Sequence, residues 1–454
     1  MGNIVVVGGG ICGTAAALVL ARDGHDVTVL DRDPDPVPDS PEAAWTWNRR
    51  SVAQFRMPHV MLSRGHGVMR QELPDVVDRL VAGGGLVIKD HPSDERFTTV
   101  TGRRTTIEWA LATTTLDEPS LEIRRGAVVA GLLTGPSVTG GVPHVTGVRL
   151  ADGEELAADL VVDAAGRRSP TTDWIVEIGG CPPAEEAEDF GFTYTGRFFR
   201  SADGSLPPPV PILTPVGSIS LLCIPADNGT WSTTVYSASS DKPLRRLRDA
   251  AIFEKIVSDC PGYARWLDGE PISDMVSMSG IVDRTRHFVV DGVPVVTGMV
   301  SIADAHACTN PSIGRGMTLG LMHTMVMRDT VREHLDDPGE LALAFDAATR
   351  ADLDPWHDAT RALDRDRIAE IHAAIEDKAP EPDSTGGVAA ALFAAATVDE
   401  QVATWLLEIF GCWATPTEVF SRDGALAHVL NVAKDLPPQP QLGPDRQRLL
   451  ELVS

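Results

Sequence analysis

Gly8, Gly10 and Gly13, within Gly8-Gly9-Gly10-Ile11-Cys12-Gly13, have the spacing G-x-G-x-x-G directly behind the apolar run Ile4-Val5-Val6-Val7. At a dinucleotide pyrophosphate the three glycines act differently. The first permits a tight turn, the second lets the backbone approach the phosphates, and the third lets helix and strand pack closely. The phosphates then meet the positive end of the helix that follows. Asp31 is expected to end the next strand, where a carboxylate can accept hydrogen bonds from both ribose hydroxyls, and Arg32 beside it joins the cofactor-binding set. The motif alone is weak. Its weight comes from the elements in register around it: a buried strand over Ile4 to Val7, a helix over Gly13 to Arg22 closed by Gly24 where left-handed geometry is tolerated, and a strand over Asp26 to Leu30.

Further along, short strands are expected over Leu121 to Arg125, Val145 to Leu150 and Leu156 to Val162, the last two joined by an Asp152-Gly153 turn. Alternation of strand and helix in the first third argues for a parallel sheet with helices on its faces. From about Asp189 to Ser279 the pattern is mostly strand, with Leu221 to Ile224 continuous, Trp231 to Tyr236 alternating, and a helix over Ala251 to Val257. Ala379 to Gly387 reads as a linker, Val388 to Ala396 as helix, and Leu436 to Pro444 as a Pro-rich loop.

With 454 residues, 43% apolar and 23% charged, the chain suits two to three domains of about 150 residues each. Lys and Arg number 39 against 64 Asp and Glu, a formal net charge of −25. That field repels phosphate backbones and anionic lipid head groups, so neither nucleic acid nor membrane insertion is expected. The cysteines lie far apart with no Cys-x-x-Cys pair, and no metal-ligand cluster stands out. They read as free thiols in a reducing cytoplasm. No signal peptide and no long apolar run is present, which points to a cytoplasmic protein.

FAD and NAD share the ADP half, so the N-terminal motif does not choose between them. Two distant segments do: Asp159 through Ser169, and Val295 through Met317, which holds Asp304-Ala305, Asn310-Pro311 and Gly314-Arg315-Gly316-Met317. On these residues the chain resembles the flavoprotein monooxygenases of the para-hydroxybenzoate hydroxylase type, including aromatic hydroxylases and the epoxidases of polyketide and squalene metabolism. The likeness runs over about residues 1 to 335, with Ala303 where the family has glycine. It implies an α/β fold: a Rossmann-like FAD-binding domain (1–188, returning in 280–378 with the following helices), an inserted β-sheet substrate domain (189–279), and a helical C-terminal region (388–454). It also implies that Asp304 binds a ribitol hydroxyl and that Pro311, Gly314, Gly316 and Met317 form the loop and helix start under the isoalloxazine. Arg104 would reach the pyrophosphate from a helix start, and Arg50 matches another phosphate ligand, although its neighbour Arg49 competes for that assignment. Val128 matches the strand position whose backbone meets adenine.

The activity this implies is oxygenation, a hydroxylation or an epoxidation: NAD(P)H reduces FAD, dioxygen forms a flavin C4a-hydroperoxide, and one oxygen atom passes to a small, largely apolar substrate. The sequence alone names no catalytic side chain. His306 reads as a structural loop histidine, and the Cys308 thiol could touch the flavin. The substrate wall is expected from the inserted sheet and from Trp45-Thr46-Trp47, whose tryptophans could equally be packing. That pair is similar to the Trp-x-Trp of flavin-dependent halogenases, but theirs stands in Trp-x-Trp-x-Ile-Pro much later in the chain, whereas Asn48-Arg49-Arg50 follows here; halogenation is not expected. The middle segment carries Ala165-Gly166 where single-component hydroxylases have Asp-Gly, and Asp163 lies two positions early, which argues for slow direct reduction by NAD(P)H and for a separate flavin reductase. Two other readings stay open: a reductase or dehydrogenase resembling the prenyl reductases, and a flavin-binding protein without redox turnover.

Overall fold

The computed structural model describes residues 1–378, 385–437 and 442–454. Its centre is a parallel sheet of five strands in the spatial order Met299–Ser301, Leu160–Asp163, Asn3–Val7, Asp26–Asp31, Leu121–Arg125. Strands of such a sheet are buried on both faces, and the side chains alternate between them. Ile4 and Val6 pack with Ala16, Ala17 and Leu20 of the helix Ile11–Arg22 and with Met327 and Val331 of the helix Gly316–His334. Val5 and Val7 face the other way, onto Leu132, Val145 and Val148 of a three-stranded antiparallel sheet. The run Leu156 to Val162, expected as one strand, is two: Glu155–Ala157 pairs antiparallel with Val142–Leu150, and Leu160–Asp163 joins the parallel sheet. Apolar continuity cannot reveal a change of sheet.

The second layer is a six-stranded antiparallel sheet spanning Phe192 to Ser279, ordered Leu213–Val216, Ile219–Pro225, Thr230–Ala238, Phe192–Arg200, Glu270–Pro271, with Val276–Ser279 also on Phe192–Arg200. One face is closed by the helix Ala250–Ser258 through Phe253, Ile256 and Val257. The other meets the long helix Asp354–Ile375, with Ile371 among Phe192, Tyr194 and Tyr236. Arg103 and Asp227, 1% and 0% exposed, join the two layers: the carboxylate takes Nη2 of Arg103 at 2.6 Å and the hydroxyl of Thr106 at 2.9 Å. A desolvated pair survives only with several such hydrogen bonds, here with Arg103 Nη1 alone of its guanidinium nitrogens lacking a partner among the described residues.

Near the C-terminus, Thr385–Ala396, Glu400–Phe410, Pro416–Phe420 and Ala425–Lys434 pack on one another around Leu392, Val402 and Val429. The final helix, Arg446–Leu452, is not with them; Leu449 inserts into the core under the six-stranded sheet, and Arg446 pairs with Asp241. Residues 379–384 of the expected linker and 438–441 of the expected Pro-rich loop lie outside the described residues. No described helix is long and apolar enough to cross a membrane.

Candidate flavin site and substrate cavity

The three motif glycines behave as three different positions. Gly8 has φ +108°, and a Cβ there would lie 2.5 Å from the carbonyl of Ala164. At Gly13 a Cβ would lie 1.9 Å from the carbonyl of Gly8. At Gly10 the same atom meets nothing closer than Arg104 Nη2 at 4.0 Å. The turn is therefore closed at its first and third glycines and open at its second, into a cavity of about 680 Å³. The N-terminal ends of two helices, Ile11–Arg22 and Gly316–His334, border that cavity, each with unsatisfied N–H groups and the positive end of its dipole.

Cations and carboxylates around the cradle are held by one another. Arg49, 4% exposed, bonds Asp31, Glu108 (3.3 Å) and the carbonyl of Gly9 (2.7 Å). Glu108 in turn takes Arg104 Nε at 2.7 Å, one helical turn away on Arg104–Thr114. Arg104 Nη1 reaches His59 Nε2 at 3.0 Å, and His59 Nδ1 lies 2.9 Å from the carbonyl of Met57. A carbonyl needs an N–H and a guanidinium needs a lone pair, so this imidazole is neutral with its proton on Nδ1. Burial, with the Arg104 charge adding to it, pushes its pKa down to about 3. Arg104 thus enters the cavity beside Gly10 in a set position.

Asp304 lies on the turn Ala303–Ala305, behind the strand Met299–Ser301. Its carboxylate lines the cavity without a hydrogen-bond partner among the described residues; burial raises its pKa while Arg104, Arg167 and Arg284 oppose that. Ala303, where the resembling family has glycine, adopts φ +51°, a left-handed conformation that disfavours a Cβ. Pro311, Gly314, Gly316 and Met317 line the same region. Open backbone at Gly10, an unpartnered carboxylate at Asp304, guanidinium groups of Arg104 and Arg50 near the cradle and two helix N-termini fit the two phosphates, the ribityl chain and the ring of FAD.

Past that end the cavity continues between Tyr194, Leu213, Leu222, Ile224 and Met278 of the six-stranded sheet, and Phe393, Leu406, Leu407 and Phe410 of the C-terminal helices. No described residue of these two walls is charged.

Residues 3–61 match the family described as FAD dependent oxidoreductase. Over 388 residues the chain is 28% identical to Protein Rv3254 of Mycobacterium tuberculosis, covering 76% of this chain and 77% of that protein. Among solved structures it superposes on PqsL, a probable FAD-dependent monooxygenase from Pseudomonas aeruginosa, with TM-score 0.56 at 15% identity over 82% of this chain and 99% of that one. A triple mutant of the flavin-dependent brominase Bmp2 gives TM-score 0.62 at 16% identity over 96% of this chain and 99% of that one. This is the fold of an FAD-dependent oxidoreductase. Likeness at these identities is one of fold, and a brominase among the relatives transfers no halide chemistry.

Within this flavoprotein fold the sequence-assigned residues divide. Gly8, Gly10, Gly13, Asp31, Arg32, Arg50, Arg104, Asp304, Pro311, Gly314, Gly316 and Met317 all border the cavity. Asp31 is 2% exposed and already accepts from Arg49 and from the N–H of Asp33 at 3.0 Å, so a ribose would share it with them. Arg49 and Arg50 both line the cavity, Arg49 buried and held by its hydrogen bonds and Arg50 exposed. Val128 is 43% exposed and its carbonyl accepts from Ala151 at 2.8 Å; its neighbours Ala127 and Val129 line the cavity and it does not. Trp45 and Trp47 do not line it either. Trp47 lies between Arg49 and Arg125, with guanidinium carbons 5.0 and 4.9 Å from its ring, and Trp45 packs edge-on to Phe198. Met57 to Ser63 supply the wall expected of them. His306 is buried, stacked on Phe288 and edge-on to His323, while Cys308 does line the cavity, its thiol raised by burial. Asp163 is 0% exposed and accepts from Ala165 N, Ser169 Oγ, Thr171 Oγ1 and Ser301 Oγ, the cap of a strand end. His59 and Glu108 were missed; only the i, i+4 spacing of Arg104 and Glu108 hinted at either.

Proposed function

We propose that this protein is a monooxygenase, a hydroxylase or epoxidase, that places one atom of dioxygen into a small, largely apolar organic molecule. The observation that carries the reading is that one cavity runs without a break from the glycine cradle to walls of uncharged side chains. When bound, FAD supplies the redox chemistry, accepting a hydride and passing its electrons to dioxygen. The chain does the rest. Arg104 and Arg50 bind the pyrophosphate, Asp304 orients the ribityl chain, and the amides at the start of Gly316–His334 stabilise negative charge at the ring edge. Leu222, Ile224, Leu406 and Phe410 surround the substrate and exclude water, which suppresses loss of reduced oxygen as peroxide. The electrons come from NAD(P)H, slowly by direct contact and faster through a separate flavin reductase.

Oxygen uptake by the FAD-loaded protein, screened over olefinic and phenolic compounds, tests this. An accelerating compound whose product carries label from isotopic dioxygen supports the reading; nucleotide oxidation with no oxygen consumed means a reductase instead. Stopped-flow reduction by NADH and NADPH, with and without the accelerating compound, tests the electron source: rapid saturable reduction by either nucleotide alone refutes the partner.

A further inference from the structure

Behind the loop Asn310–Ser312 lie two buried carboxylates that the flavin site does not use. Asp283 opens the strand Asp283–His287 and Asp364 sits on the helix Asp354–Ile375; each is 1% exposed. Asp283 Oδ1 accepts the N–H of Asn310 at 2.9 Å, and Asp364 Oδ1 shares a hydrogen bond with the hydroxyl of Ser312. Among the described residues the second oxygen of each is buried without a partner, and neither carboxylate forms a salt bridge. Of the charged groups that face them, Arg361 acts to lower the pKa of Asp283 and Arg315 that of Asp364, but each is bonded elsewhere. Arg315 bonds Thr360 Oγ1 and the carbonyl of Ile409, Arg361 pairs with Asp358 and Glu186, Glu188 adds negative charge near Asp283, and Tyr194 and Tyr236 are neutral phenols, the first bonded to Asn310. Burying two carboxylates without a cation bonded to either is costly, and a proton on one of them relieves that cost. Burial pushes Asp364 well above the usual carboxylate range and Asp283 up to about 6. Ser312 is the link outward, because it lines the cavity next to Pro311.

We propose that Asp364 and Asp283 store one transferable proton behind this loop, and that the Ser312 hydroxyl passes it from Asp364 to an oxyanion formed in the cavity. Only the identity of the acceptor rests on the monooxygenase reading. In the step, the O–H bond of Ser312 breaks as an O–H bond forms on the oxyanion, and the Asp364 proton moves to Ser312 Oγ. Asp364 is left a carboxylate, no electrons change hands, and the pair regains a proton from water after product leaves. Asp364 acts through Ser312 and is a positioning residue and reservoir.

Infrared difference spectra test the store without turnover. Wild type minus Asp364→Asn at neutral pH is expected to show the carbonyl stretch of a protonated carboxylic acid, shifting in D2O; a difference spectrum without it overturns the store, whatever the flavin does. In Ser312→Ala the band is expected to persist but move, because its hydrogen-bond partner is gone, and an unmoved band overturns the link even if Asp364→Asn folds poorly. For the relay, FAD-loaded protein is reduced with dithionite, mixed with aerated buffer, and its flavin absorbance followed from about pH 6 to about pH 9. Wild type and Ser312→Thr are expected to reoxidise at a pH-independent rate, whereas Ser312→Ala and Asp364→Asn slow about tenfold per pH unit as solvent becomes the proton source. Equal, pH-independent rates in all four overturn the relay. If no compound stimulates oxygen uptake while the band and the pH contrast are present, the monooxygenase reading fails and the proton store stands.

Discussion

Gly10 and Ala303 show how single backbone positions divide between cofactor and fold. A side chain at Gly10 points into the open cradle, so Gly10→Val is expected to fold with the melting temperature of FAD-free wild type and to purify without FAD; full flavin content in the variant would show that this turn holds no pyrophosphate. Ala303 is the reverse case. Its φ of +51° carries a cost of about 1 kcal/mol that glycine avoids, partly offset by glycine's greater freedom in the unfolded chain. Ala303→Gly is therefore expected to stabilise the protein by up to about 0.5 kcal/mol in denaturant titrations, and destabilisation would mean that glycine's freedom in the unfolded chain outweighs the strain. The substitution of alanine for glycine was visible in the sequence; the sign of its φ was not, because a one-residue turn leaves no periodicity to read.

At the scale of elements, the loop between the strand Met299–Ser301 and the helix Gly316–His334 is tied by one side chain to two other segments. Arg315, 1% exposed, holds Thr360 of Asp354–Ile375 at 3.1 Å and the carbonyl of Ile409 of Glu400–Phe410 at 3.3 Å, with its guanidinium over Trp356. Arg315→Met is expected to raise amide hydrogen exchange in 400–411 selectively, leaving Asn3–Val7 protected; uniform exchange across the chain would show that the tie does not set the position of the cavity wall. Asp283 gives a pH signature for its strand. Its carboxyl is raised from 3.8 to about 6 in the folded protein, so the folded state binds the extra proton, and the stability present below the unfolded pKa is lost as pH rises through the folded one. Asp283→Asn keeps an acceptor for Asn310 and removes this dependence, so the variant is expected to gain on wild type by about 2–3 kcal/mol between about pH 4 and about pH 7. Parallel stability curves would show that the carboxyl titrates normally.

For the whole molecule, the cavity joins the parallel sheet, the antiparallel sheet and the C-terminal helices, so its occupant should stabilise all three together. FAD at about a hundred times its dissociation constant is expected to add about 2.7 kcal/mol and to raise one cooperative thermal transition; an unchanged melting temperature would rule out the cradle as a flavin site. Much of this organisation was legible in the chain, since G-x-G-x-x-G between an apolar strand and a small-residue helix has one low-energy use, and Leu221 to Ile224 and Trp231 to Tyr236 announce a sheet. The parallel core, the glycine cradle and the loop Asn310–Met317 follow from local patterns whose period or spacing is itself the physical constraint. Other features have no local pattern. His59 finds Arg104, Arg49 finds Asp31 and Glu108, Ser312 finds Asp364, and Phe410 finds Leu222 across one cavity only after distant segments pack. Those meetings depend on burial and on which polar groups are left to satisfy one another, and that is decided when the chain folds, not by the order of its residues.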